Sequence, residues 1–330
     1  MLQLKNNTPF AAIMTLLPNE NGIDTLFITV KATFALTTGW VLLDDQPPPQ
    51  AEDVYWGKPG ESSLRYASDI HLGKPCTDIV MIGNAVAPTD QRTTCLDVDL
   101  NIGVLKKTLR VFGDREWRNG RITSPQPFEI MPMVYERAFG GRHVVAGQIE
   151  SAESRNPIGV GYAGARSVDE INGLLLPNLE DPAQLIRTYS DQPAPACFGF
   201  YAANWQPRAA YVGSYDEAWQ QTRAPYLPED FNKRFFNMAH PDLIYPGYLQ
   251  GGEPVHVTHM HSRGPLQFEV PRVRLSVKAL LDDVLKQPVM NMETLTLEPN
   301  DIRLSMVWKG AVPCDKQTLK IREVTISLTR

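Results

Sequence analysis

Cysteine is scarce in this chain and scattered. Cys76, Cys95, Cys197 and Cys314 show no CxxC spacing, which excludes the common zinc and dithiol motifs and leaves reduced, mostly packed thiols as the expectation. Long apolar runs are missing too, and none suffices to cross a bilayer. The opening Met1-Leu2-Gln3-Leu4-Lys5-Asn6-Asn7 lacks the basic start and continuous apolar run of a signal peptide, so the cytoplasm is the expected compartment. An excess of basic charge is absent, the net value being −5, and neither nucleic acid nor a membrane is expected as a partner. Catalytic signatures are equally thin. There is no GxSxG and no HExxH. Gly159-Val160-Gly161-Tyr162-Ala163-Gly164 spells GxGxxG, but the turn-forming Asn156-Pro157 precedes it where a strand is needed. No dinucleotide or other cofactor is expected, and no internal repeat of solenoid or propeller period is present.

Against these absences stands a hydrophobic share of 43% over 330 residues, enough for a sizeable core. The expected fold is mainly β (α+β), with β-sandwich-like flanks from both chain ends around a loop-rich central insert with short helices. The boundaries fall at 1–132, 133–254 and 255–330, the last part packing with the first. In the first part, residues 25–36 are rich in β-branched and aromatic residues, and Leu26, Ile28 and Val30 share a face. Thr37-Thr38-Gly39 then turns the chain into Trp40. Residues 77–86 read as a buried strand. Residues 95–100 and 104–112 read as a hairpin joined by Asn101-Ile102-Gly103. In the last part, strands are expected near 255–260, 266–270, 273–280, 293–297, 303–308 and 319–328.

The insert carries glycine and proline at positions that suit shaped loops better than regular elements. A short helix is expected within 134–139, stopped by Gly140-Gly141. Another is expected over 214–223 with Ser214 as N-cap and Glu217 in the reciprocal position, and a third over 228–236. Ser167 with Glu170 is a further capping pair. Aromatic residues crowd its second half, Trp205, Tyr211, Tyr215, Trp219 and Tyr226 among them. Such residues bury much area at small entropic cost, so a few of them are expected to meet a partner while the rest pack beneath the loops.

Three chemical constellations compete with a binding role. His256, His259 and His261 are half of the histidines, and on a strand His259 and His261 would share a face as a pair of metal ligands, with a third from Glu253 or Asp242. The alternative is plain polar histidines. Cys197 with His240 could form a nucleophile pair, or the thiol is simply packed. The adjacent carboxylates 180–181, 229–230 and 282–283 are read as solvated rather than as a glycosidase pair.

The ordered run Glu136-Arg137-Ala138-Phe139-Gly140-Gly141, Asn156-Pro157-Ile158-Gly159, Leu176-Pro177-Asn178-Leu179-Glu180, Phe198-Gly199 and Trp205-Gln206-Pro207-Arg208 continues through Tyr215-Asp216, Trp219, Pro228-Glu229-Asp230-Phe231 and Gly251-Gly252-Glu253. Together these motifs resemble the bacterial domain-of-unknown-function family encoded beside type VI secretion spike, PAAR-tip and toxin genes. His143 and Val160 depart from its pattern, which bears on the cargo. What the resemblance implies is an adaptor or chaperone that binds a type VI effector or toxin, PAAR- or VgrG-linked, in the donor cytoplasm and assists its loading onto the VgrG/PAAR spike. It implies no catalytic residues. The expected contact residues are Glu136, Arg137, Phe139, Trp205, Tyr215, Trp219 and Tyr226, with Glu136 and Arg137 alternatively a structural ion pair securing the loops. The competing expectations are a metal-dependent or other enzyme with its pocket in the insert, and a carbohydrate-binding β-sandwich module.

Overall fold

The computed structural model describes residues 3–36, 39–88 and 91–329; the turn expected at Thr37 and Thr38 lies outside them. The chain is mainly β, with only short helical turns. Its centre is a six-stranded sheet ordered Ala11–Pro18, Asp24–Leu36, Arg303–Pro313, Asn291–Glu298 and Asp78–Met81, with Trp40–Leu42 paired to the end of Asp24–Leu36. The two longest strands, Asp24–Leu36 and Arg303–Pro313, run antiparallel from Thr25↔Pro313 to Ala35↔Arg303. Residues far apart in the chain therefore form the middle of one sheet.

Period-two alternation explains one face of that sheet. Leu26, Ile28, Val30, Ala32 and Phe34 are all buried, opposite Leu304, Met306, Trp308 and Val312. The other face carries Thr29, Thr33, Lys309, Thr296 and Glu298, and it is buried as well. A polar face can leave water only if its groups find partners. The segment between the Trp40–Leu42 and Asp78–Met81 strands supplies them. Gln46 Oε1 accepts from Thr33 N at 2.8 Å and Gln46 Nε2 donates to Thr33 O at 2.9 Å. Lys309 Nζ donates to the carbonyls of Asp69 and His71 at 2.6 and 2.9 Å. Tyr66 Oη donates to Glu298 at 2.7 Å. The segment acts as a polar strap across the sheet.

A second sheet runs Leu179–Glu180, Leu105–Phe112, Cys95–Ile102, Pro254–Val257 and Leu266–Glu269. Its hairpin differs from expectation in the turn. Ile102 pairs with Leu105, so the connection is the two residues Gly103-Val104, with Gly103 at φ +54°. A two-residue loop lets Asn101 and Ile102 join the ladder, where Ile102 is buried. A third sheet joins Gln3–Asn6, parallel, to Ile321–Leu328, followed by Leu275–Leu281 and Val284–Lys286. One apolar cluster runs through all three sheets, and a smaller one gathers Trp117, Phe139, Ile171, Leu176 and Ile186 under the central loops.

The insert holds less helix than its sequence suggests. Residues 134–139 contribute only the 3-10 turn Tyr135–Arg137, and residues 228–236 only the 3-10 turn Lys233–Phe236. The α-helix is Glu217–Thr222, and Asp216, not Ser214, caps it by accepting from Trp219 N at 2.9 Å. Ser214 is engaged elsewhere, its N and Oγ both donating to Asp230. The Ser167–Glu170 pair forms, with Ser167 N and Oγ each 2.8 Å from Glu170 Oε2, but it closes a single turn.

Candidate functional site

Four of the seven residues expected to meet a partner are engaged within the fold. Tyr135–Arg137 throws successive side chains in different directions, so Glu136 and Arg137 do not pair with each other. Glu136 accepts from Ser63 N and Oγ, both at 2.7 Å. Arg137 donates to Asn178 Oδ1 at 2.9 Å and stands 3.5 Å from Asp114. Phe139 is 1% exposed, in the smaller core. Trp205 is 3% exposed, edge-on to Tyr135 and Tyr201 with centroids 5.3 and 5.9 Å away.

The motif glycines are packing positions. Asn156 Nδ2 donates to the carbonyls of Tyr135 and Phe139 at 2.8 and 3.0 Å, and Asn156 O accepts from Gly141 N. Phe139-Gly140 then pairs in parallel with Val160-Gly161. A Cβ at Gly140 would stand 2.1 Å from Asn156 O. The string resembling a dinucleotide motif is thus a backbone lock.

The other three residues come together at the surface. Tyr215 and Tyr226 are 50% and 42% exposed, and Trp219 lies between them. Its ring meets Tyr215 edge-on at 4.7 Å, and its Nε1 donates to Tyr226 O at 2.8 Å. No residue of the helix that presents Trp219 is buried. Polar ties hold the unit in place instead. Arg223 donates to Leu227 O and to Glu20 O, at 2.9 and 2.7 Å, and Lys233 pairs with Glu20 at 2.6 Å. Gly22, at φ +76°, lets the 19–23 turn come close beneath the Tyr226 ring, which a Cβ there would meet at 3.0 Å. Two exposed tyrosine rings are therefore fixed in orientation on either side of the half-buried Trp219.

The same loop assembly walls a cleft of about 430 Å³. Tyr201, Tyr211 and Tyr245 line it, with Pro75, Pro241 and Pro246. Two guanidinium groups, Arg208 and Arg234, reach it beside Asn237. Arg208 is only 6% exposed. It is held by Nε donating to Phe235 O at 2.7 Å and Nη1 to Tyr201 O at 2.8 Å, with the Phe235 ring 5.0 Å below. This size and lining are those of a ligand or peptide-anchor pocket. Arg208 closes the Trp205-Gln206-Pro207-Arg208 motif, yet nothing in its local spacing signals a cleft.

The histidine triplet does not assemble. The strand ends at Val257, so His259 and His261 do not share a strand face. His259, at φ +53°, turns its Nδ1 to Asp97 O at 2.7 Å, while His261 Nδ1 accepts from Arg263 N at 3.1 Å. Among the described residues no three His, Cys, Asp or Glu side chains are grouped as metal ligands. Cys197 is fully buried, and burial pushes its thiol up to about 12. His240 is buried too, and burial brings its imidazole down to about 3. Neither state suits a thiolate–imidazole pair.

The sequence gives no hint of a buried charge cluster beneath the strap. His71, Lys74, Asp78, Glu293 and Lys309 are each 5% exposed or less. Lys74 Nζ donates to Asp78 Oδ2 at 2.6 Å and to Thr294 Oγ1 at 2.8 Å. Asp78 also accepts from Asn237 Nδ2 and Met238 N. Burial raises the Glu293 carboxyl to about 7 and lowers the Lys309 ammonium to about 8. Burial, then Lys309 and Lys74, hold His71 well below its ordinary value. These groups fasten the strap and the 237–238 backbone to the central sheet.

A family model described as "Uncharacterized protein conserved in bacteria (DUF2169)" matches residues 21–309. None of the curated proteins matches the chain. None of the solved structures does either.

Proposed function

We propose a function from this premise: the chain belongs to the DUF2169 family, uncharacterized proteins conserved in bacteria. Its function is that of an adaptor or chaperone, which binds a type VI secretion effector and assists its loading onto the PAAR-tipped VgrG spike. The observation that carries this reading is the aromatic trio Tyr215, Trp219 and Tyr226. The two tyrosine rings are exposed and Trp219 is half-buried between them, and the unit is held by the Asp216 cap, the Trp219–Tyr226 bond and the ties to Glu20. Aromatic groups ordered before binding lose little entropy when a partner covers them. Binding without turnover also fits the inert state of Cys197 and His240 and the bracing role of the buried charges.

The test is co-expression with the toxin that the family resemblance places beside this gene, followed by purification on one tag. Wild type is expected to retain the toxin in stoichiometric amount. Trp219→Ala and Tyr215→Ala are expected to fold and to lose most of it, at least about tenfold in affinity for a pair of interface anchors. Folded variants that retain the toxin as well as wild type would contradict the reading.

A further inference from the structure

The cleft lined by Tyr201, Tyr211 and Tyr245 contains an electrostatic imbalance. Arg208 carries its charge at 6% exposure, and its two protein acceptors are backbone carbonyls, of Phe235 and Tyr201. Among the described residues no carboxylate lies within ion-pair distance of Arg208 or of the neighbouring Arg234. Asp53 and Asp78 act on Arg208 only from further away, and burial is the larger influence, lowering its pKa. A buried guanidinium with no counter-ion is costly, and the cost falls when an anion arrives. Three tyrosines and four prolines make up most of the remaining cleft wall, with Cys76, Arg234, Asn237, Ala239 and Ile244.

We propose that this cleft is a docking site for an acidic peptide segment in extended conformation, one whose carboxylate meets Arg208 and Arg234 while flanking proline or aromatic side chains lie against Tyr211 and Tyr245. Charge complementarity sets the carboxylate, because the two cations lining the cleft are guanidiniums, whose planar fork matches a carboxylate. The lining sets the rest. Pro207, Pro241 and Pro246 are exposed at the rim, so the cleft is an open trough. Troughs walled by aromatic residues take extended, proline-containing chains, which lose little entropy on binding. A volume of about 430 Å³ holds only a few residues of such a chain. The segment would belong to the cargo, so the inference rests on the adaptor reading and adds the chemistry that the adaptor recognises.

The probe is a capped, fluorescein-labelled proline-rich hexapeptide with one tyrosine and one glutamate, titrated by anisotropy against the full chain. Its counterpart carries glutamine in place of the glutamate. The acidic peptide is expected to bind about tenfold more tightly than the glutamine form, and added salt should shrink that difference. Arg234→Glu, a change at an exposed side chain that leaves folding intact, should abolish the preference. Arg208→Gln should do the same where circular dichroism shows it folded. Equal binding of the two peptides, an unaltered preference in Arg234→Glu, or no binding at 1 mM would each overturn the proposal. So would tighter binding of 4-hydroxyphenylacetate than of the peptide, which would make the cleft a small-acid site. The adaptor reading is scored separately by toxin retention. If Trp219→Ala loses the toxin while the peptides fail to discriminate, the docking chemistry falls and the adaptor stands.

Discussion

Glu293 illustrates how far the interior sets the chemistry of single residues. Its carboxyl accepts from Lys74 N at 3.0 Å and is buried, and burial raises it to about 7. A folded-state value above the unfolded one of 4.5 means that the native protein holds this proton more tightly. The resulting stability is complete below about pH 4.5 and is lost as pH rises through about 7. Glu293→Gln keeps the acceptor and removes the titration. Between pH 5 and pH 7.5 the variant should therefore gain on wild type by on the order of 2 kcal/mol in urea unfolding, and parallel curves would refute the assignment. Residues of one type separate just as sharply by place. Trp205→Ala opens a hole beside Tyr135 and Tyr201 and should cost about 3–5 kcal/mol. Tyr215→Ala, at an exposed ring, should cost less than about 1 kcal/mol. Sequence composition groups Trp205 with Trp219 and Tyr215, because density of aromatics in loops does not tell which rings face inward. Only the long-range contacts with Tyr135 do that.

Among the elements, the strands with clean alternation were readable and the irregular ones were not. Cys95–Ile102 shows its buried and half-buried residues in strict turn, which local pattern predicts. Its turn came out one residue shorter than expected, since the gain from burying Ile102 in the ladder outweighs the pull of Asn101 toward a loop. The helix expected over 214–223 forms only over Glu217–Thr222, and its cap is Asp216 rather than Ser214, because Asp230, distant in sequence, occupies Ser214. The Asn156 lock depends on segments about twenty residues apart, and no periodicity encodes it. It also gives a prediction. At Gly140, φ is +152° and an added Cβ would meet Asn156 O at 2.1 Å, so Gly140→Ala should lower stability by more than about 2 kcal/mol in chemical denaturation. A loss below about 0.5 kcal/mol would show that the lock can yield.

At the scale of the whole molecule, the mainly β character and the family motifs were legible in the sequence, whereas the pairing order was not. The sequence marks both ends as β-rich, but only the fold shows Asp24–Leu36 lying against Arg303–Pro313. Nor does it show that the sheet buries a polar face. Thr29, Thr33 and Lys309 look like solvent-facing positions until the 43–76 strap covers them. The consequence for function is a stiff base. The central sheet, the strap and the buried charges hold the loop assembly, and the assembly presents two exposed tyrosines around a half-buried Trp219, and a cleft. A protein built to hold a partner needs such a surface to exist before the partner arrives. The measurement that tests this most directly is toxin retention by the tagged protein after co-expression, for wild type and for Trp219→Ala. The account predicts a stoichiometric complex with wild type and its loss in a variant that still unfolds cooperatively at nearly the wild-type midpoint. A wild-type protein that never retains the toxin, or a folded Trp219→Ala that retains it fully, would contradict it.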